Sequence, residues 1–169
     1  KNACLSGLYF IRHFNYVYTK FEVSKGYYVD KTYLSTHVVP LSELNYYSTG
    51  DLKGHPISYA FDSKYADSWV SSIENTENEH ASIFVNFTNP ILLEAIIYQS
   101  GYKTENGTKV MVGFPLKLII HTAFKDEELS PKAFFVGSPE PPNTNYQLVL
   151  PEPVVCSRVQ IEFVEVSPE

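Results

Sequence analysis

Ala60-Phe61-Asp62-Ser63-Lys64-Tyr65-Ala66-Asp67-Ser68-Trp69 is the stretch on which the fold turns. It sets an aspartate, a four-residue spacer, a second short oxygen donor and the only tryptophan of the chain close together. Hard cations take several oxygen ligands, so Asp62 and Asp67, with carbonyls of the same loop, are candidate ligands for Ca²⁺. The same residues support a plainer reading, in which Asp62 caps backbone N–H groups in a turn and Trp69 fills the core. Both readings make the segment a tight turn leading to a large ring. Ala60 to Val70 has room for one helical turn, and no 3.6-residue apolar stripe persists elsewhere.

Outward from this turn the chain changes to a period of two. Ile83, Val85 and Phe87 alternate with Phe84 and Asn86, and after a break at Asn89-Pro90 the pattern resumes with Leu93, Ala95 and Ile97. Leu116, Leu118 and Ile120 alternate with Lys117, Ile119 and His121; Lys132 to Val136 is a short apolar strand; Val159, Ile161 and Phe163 alternate with Arg158, Gln160 and Glu162. Such alternation marks strands with one face on a core. Turn-rich segments at Glu74–Glu79, Gly101–Gly107, Lys125–Ser130 and Gly137–Asn145 separate them. Upstream, Ser42 to Pro56 reads as a long polar loop with two glycines and the adjacent Tyr46 and Tyr47. Gly7 to Phe21 is aromatic without clean alternation and reads as one or two strands.

The whole composition agrees with an all-β domain. The chain has 169 residues, which suits a single core. Hydrophobic residues reach 44%, enough to bury an interior. Thirteen tyrosines, 11 phenylalanines and 11 prolines favour strands and loops. The net charge of -6 argues against a general nucleic-acid binder and makes docking to anionic lipid unfavourable. The ends at Lys1 and at Ser167-Pro168-Glu169 suggest a fragment of a longer protein.

Two cysteines, Cys4 and Cys156, stand near opposite ends of the chain. A disulfide between them would close almost the whole chain and contribute about 4–5 kcal/mol by loop entropy. The alternative is a pair of buried thiols. The sequons Asn86-Phe87-Thr88 and Asn106-Gly107-Thr108 make Asn86 and Asn106 candidate glycan acceptors. Disulfide and sequons together point to an oxidising, extracellular or cell-surface setting. Asn106-Gly107 is also the best hairpin-turn signal in the chain.

Motifs for catalysis are missing. There is no Gly-x-Ser-x-Gly elbow, no phosphate-binding Gly-x4-Gly-Lys-Ser/Thr loop and no His-Glu-x-x-His. The five histidines show no metal-ligand spacing, and the cysteines show no zinc or redox pairing. No catalytic residue is assigned.

The segment from Ala60 to Trp69 resembles the Ala-x-Asp-Gly-x-x-x-Thr-x-Trp signature of discoidin (coagulation-factor type-C) domains and of related galactose-binding-like carbohydrate-binding modules. Ser63 stands at the family's glycine and Asp67 at its threonine. Ser82–Phe87, Ile91–Ser100, Leu116–Thr122 and Val154–Phe163 follow in the order of the family's strands, with Arg158 near its arginine. The likeness covers roughly residues 35–166 and leaves residues 1–34 as an N-terminal extension packed on the sandwich, with 35–169 as the discoidin-like part of one domain. It implies a jelly-roll β-sandwich whose loops at one end bind a ligand, and a structural Ca²⁺ in the signature loop. Glu162 or Glu165 would be the counterpart of a glutamate in the final strand of the carbohydrate-binding members.

In that family the ligands are glycans, phospholipid head groups or other proteins. The binding loops here would be Ser42–Pro56, Ser71–His80 and Gly101–Thr108. A sugar site needs an aromatic face for the C–H side of the ring and planar polar groups for its hydroxyls. Tyr46, Tyr47 and Tyr102 are candidates for the face; Asn45, His55, Glu74 and Lys103 are candidates for the hydrogen bonds. Tyr46 or Tyr47 could instead pack into the core. The loops lack apolar spikes beside basic residues, so lipid ranks below glycan. The expectation is a non-catalytic extracellular recognition or adhesion module that binds a glycan or a cell-surface glycoprotein. A protein–protein interaction ectodomain is the alternative, and a polysaccharide-active enzyme is a third.

Overall fold

The structure is a computed structural model that describes residues 2–13, 38–64, 67–105, 108–111, 113–137 and 145–167, and for 102–111 the backbone alone. Nine strands are described: β1 (Asn2–Arg12), β2 (Leu44–Ser48), β3 (Trp69–Glu74), β4 (Ser82–Ser100), β5 (Tyr102–Glu105), β6 (Thr108–Met111), β7 (Pro115–Ala123), β8 (Ser130–Val136) and β9 (Asn145–Val166). Single 3-10 turns occupy Leu41–Glu43 and Ile57–Ala60. Seven strands form one antiparallel sheet in the order β3-β1-β4-β9-β7-β8, with β2 also paired to β4, and β5 and β6 form a separate hairpin. Glu105 faces Thr108 in that hairpin. The Asn106-Gly107 turn expected between them, and with it the Asn106 sequon, lies outside the described residues.

Two long strands make this one sheet into a sandwich. The β4–β9 ladder is interrupted between Asn86 and Ile91 and again between Leu93 and Ala95. Prolines lie at both breaks: Pro90 on β4, and Pro151 and Pro153 on β9 between Val149 and Val154. Proline has no N–H for a ladder, so it is confined to such bends. Below the bend β4 is flanked by β2; above it, by β1. The two halves therefore face each other. Trp69 of β3 lies 5.7 Å from Phe163 of β9, and Phe10 of β1 meets Phe87 of β4 edge-on at 5.4 Å. The alternating residues Ile83, Val85, Leu118, Ile120, Val159, Ile161 and Phe163 all point into this core and are buried. Each such side chain withdrawn from water contributes about 1.5–3 kcal/mol.

Three expectations are sharpened or corrected here. First, the strand expected from Gly7 onward starts earlier, and Asn2–Arg12 is an internal strand between β3 and β4. Ala3 to Leu8 are buried without a break, which is why no alternation is visible there. Most of the remainder of 1–34 lies outside the described residues. Second, Leu44–Ser48, expected in a loop, is strand β2 with Leu44 turned inward. Third, Cys4 and Cys156 are buried free thiols. Cys4 lies beyond the Leu5–Ser100 pair on one side of β4, and Cys156 pairs with Ile91 on the other. From Ile91 to Ser100 is about 30 Å of strand, whereas a disulfide needs Cα atoms within about 7 Å. Burial raises both thiols to a pKa of about 12.

The signature turn forms as a turn. Asp62 Oδ1 accepts the Lys64 N–H at 2.9 Å, and Trp69 opens β3 fully buried. Ser63, at the family's glycine, holds φ at 60°, in the left-handed region that glycine enters freely.

Candidate functional site

Because β4 and β9 double back, strand ends gather at one rim of the sandwich. Ser82 and Ser100 of β4, Glu74 of β3, Asn2 of β1, Pro115 of β7 and Val166 of β9 all lie there. The 75–81 loop joins β3 to β4 across this rim and is firmly tied. Asn75 Nδ2 donates to the Phe163 carbonyl at 2.6 Å, and its Oδ1 accepts the Ala81 N–H at 3.1 Å. Thr76 Oγ1 accepts the Glu79 N–H at 3.0 Å, and the Thr76 N–H donates to the Glu79 carbonyl at 2.9 Å.

This loop walls a cleft of about 490 Å³ against the start of β7 and the end of β9. Leu116, Val164 and Val166 give it apolar surface; Asn75, Thr76, Glu77 and His80 give polar groups on the loop side; Lys117 and Glu165 face them across the opening. Lys117 Nζ pairs with Glu165 at 3.2 Å, both about half exposed. The volume is that of a small-ligand site, and its lining sets aliphatic surface from Leu116, Val164 and Val166, in place of an aromatic ring, beside planar and charged polar groups.

Below the cleft a carboxylate bridges two imidazoles. His80 Nδ1 donates to one oxygen of Glu162 at 2.7 Å, and His121 Nε2 donates to the other at 2.8 Å. Burial pushes the Glu162 carboxyl up, but the hydrogen bonds from His80 and His121 and their charge outweigh it, and its pKa lies below the ordinary value.

The expected site residues divide. Glu74 closes β3 at the rim, beside Asn75 of the cleft, and is exposed. Tyr102 and Lys103 open β5, which leaves the rim after Ser100; their side chains lie outside the described residues. Tyr46 turns inward and stacks on Phe61 at 4.1 Å, the core alternative realised. His55 is also structural: its Nδ1 bonds the Ser68 carbonyl at 2.9 Å. Asn45 and Tyr47 sit on the outer face of β2, opposite Asn86 and Phe84. Asn86, the other sequon asparagine, is half-buried there, with Asn45 on one side and Arg158 on the other. The structure thus brings Glu74 and the start of β5 to one rim, while Tyr46 and His55 are engaged in stacking and hydrogen bonding within the fold.

Asn75, Thr76, Glu77 and His80 lie in the Ser71–His80 loop expected to bind, though of that loop only Glu74 was singled out; Lys117 and the His80–Glu162–His121 bridge were not foreseen. Lys117, His121 and Glu162 were legible as outward positions of alternating strands, but nothing in one sequence tells which outward positions share an end. Asp51, in the expected Ser42–Pro56 loop, has a structural role instead: it accepts Trp69 Nε1–H at 2.9 Å, the Ile57 N–H at 3.1 Å and the Ser48 hydroxyl, and so pins the 48–57 segment to β3.

Asp62 and Asp67 do come together. Burial raises the Asp62 carboxyl most, followed by the hydrogen bond and charge of Asp67, while the Lys64 N–H opposes both. The described residues hold no group of three or more His, Cys, Asp or Glu side chains placed for a metal. A cation here would rest on these two carboxylates and on further oxygens, since Ca²⁺ takes about six to eight.

No protein-family model and no curated protein sequence matches the chain. Solved structures do. The family 32 carbohydrate-binding module of Clostridium perfringens NanJ, solved with galactose, is 17% identical with a TM-score of 0.62, over 76% of this chain and 87% of that one. The two family 32 modules of C. perfringens ZmpB, solved with GalNAc, give 18% and 0.68 over 96% of this chain and 40% of that one. A module of C. perfringens GH89, solved with GalNAc-β-1,3-galactose, gives 13% and 0.59 over 75% of this chain and 88% of that one. At this identity the likeness speaks for the fold: the chain is an all-β, galactose-binding-like sandwich of the kind that discoidin domains and family 32 carbohydrate-binding modules share.

Proposed function

We propose that this chain is a non-catalytic carbohydrate-binding module that takes a galactose-type sugar in the rim cleft and works outside the cell or at its surface. The observation that carries this reading is the cleft itself: a volume of about 490 Å³ in which Leu116, Val164 and Val166 lie beside Asn75, Glu77, His80 and Lys117, at the end of the sandwich where the strand termini collect. Solved relatives in fold are modules crystallised with galactose and GalNAc, which supports the same class of ligand. Calorimetric titration with galactose and GalNAc tests it. Binding is expected, with Glu77→Ala and Lys117→Ala each weakening it about tenfold or more without lowering the melting temperature. Binding unchanged in both variants would contradict the cleft.

Asp62 and Asp67 are proposed to share a structural Ca²⁺ with oxygens of their turn, since a divalent cation relieves the repulsion between facing carboxylates. Bound Ca²⁺ stabilises only the folded chain, so EDTA is expected to lower the melting temperature, with recovery on adding excess Ca²⁺. An identical melt in EDTA and in Ca²⁺ removes this proposal.

A further inference from the structure

The outer face of the lower sheet carries a row of side chains that the rim cleft leaves unused. Tyr47 on β2 pairs across the ladder with Phe84 on β4, Phe84 with Gln160 on β9, and Gln160 with His121 on β7. All four lie at outward positions, since their neighbours Ile83, Val85, Val159, Ile161 and Ile120 fill the core. Three strand spacings separate the ends of the row, about 14 Å. The Tyr47 and Phe84 rings stack at 4.9 Å and 12°, and Tyr47 is 54% exposed. Gln160 Nε2 donates to the Ser82 hydroxyl at 3.0 Å, which fixes its amide beside the rings. The far end of the row runs into the cleft, because His121 and His80 hold the two oxygens of Glu162 and His80 lines the cleft.

The Tyr47 and Phe84 rings are stacked on each other, so the pair offers apolar ring edges and the exposed side of Tyr47, followed by a fixed amide and imidazoles. Apolar area beside planar hydrogen-bonding groups suits successive sugar rings, each with C–H surface and a fringe of hydroxyls. A peptide or lipid surface would be met by continuous apolar area or by basic charge, and neither is present in this row. The row is linked to the cleft wall through the His121–Glu162–His80 bridge, so the two lie on neighbouring parts of the surface.

We propose that the ligand is an oligosaccharide, with one unit in the rim cleft and the following units laid over Gln160, Phe84 and Tyr47. This rests on the reading of the cleft as a sugar site. It makes the length of the glycan, and not only its terminal unit, a determinant of affinity.

The test is calorimetry on bacterially expressed protein, in which Asn86 beside the row bears no glycan. The probes are galactose, GalNAc, and tri- to hexasaccharides ending in either. The wild type is expected to bind at least one oligosaccharide about tenfold or more tighter than its terminal monosaccharide. Tyr47→Ala and Gln160→Ala, both at partly or largely exposed positions, are expected to remove that gain and leave the monosaccharide affinity unchanged. Lys117→Ala should weaken monosaccharide and oligosaccharide alike. If no oligosaccharide exceeds its terminal unit, or if Tyr47→Ala keeps the full gain, the extended site is overturned while the cleft stands. If no sugar of any length binds, both fall.

Discussion

Ser63 concentrates the tension between sequence and fold. Its φ of 60° is what the turn demands, and the discoidin-type signature it resembles has glycine there. A β-carbon in the left-handed region costs about 1–2 kcal/mol, and glycine loses about 0.5–1 kcal/mol through the entropy of the unfolded chain. The balance favours glycine slightly. Ser63→Gly is expected to leave stability unchanged or raise it by up to about 1 kcal/mol in urea unfolding. A loss of more than about 1 kcal/mol would mean that the serine hydroxyl is needed and the conformational argument is wrong. Gly113 makes the same point from the other side. Its φ is 59°, and a β-carbon there would stand 1.9 Å from the Asn2 carbonyl oxygen, so the strand β1 start and the turn before β7 can approach only over a glycine.

Between elements, the tie that matters most is the glutamate joining three of them: Glu162 on β9, His80 before β4 and His121 on β7. Its pKa is depressed in the fold, so the folded state holds the proton less tightly than the unfolded chain does. The stability this confers is present above the ordinary carboxyl pKa of 4.5 and is lost as pH falls below it. Thermal melts should therefore show wild type and Glu162→Gln far apart at pH 7 and converging at pH 3. Curves separated by the same interval at both pH values would show that the charge does not contribute. This bridge was not legible beforehand. His80 sat in a predicted loop and His121 in a predicted strand, 41 residues apart, and only the β9–β7 register sets His121 diagonally to Glu162. Period-two alternation, by contrast, marked β4, β7 and the second half of β9 in advance, with β8 marked by a short apolar run. It failed for β1, buried on both faces, and for β2, where Leu44 and Tyr46 make too short a pattern among polar neighbours.

At the scale of the whole molecule, the all-β sandwich was readable because the signature turn and four strands followed one another in order. The break at Asn89-Pro90 marked where β4 passes from one layer to the other, although the chain there continues as a single strand. What could not be read was which ends meet. Loop position alone nominated His55 and Tyr46, which the fold spends on packing, and long-range pairing alone placed Lys117 and Glu165 opposite the 75–81 loop. The central claim, that this end of the sandwich holds a sugar, is tested most directly by mapping amide chemical shifts of the ¹⁵N-labelled chain during titration with galactose and with GalNAc. The account predicts that the amides of 75–80, 116–117 and 164–166 move together and saturably. Shifts confined to the opposite end, around Arg12, Lys125 and Ser157, or no shift with either sugar, would contradict it.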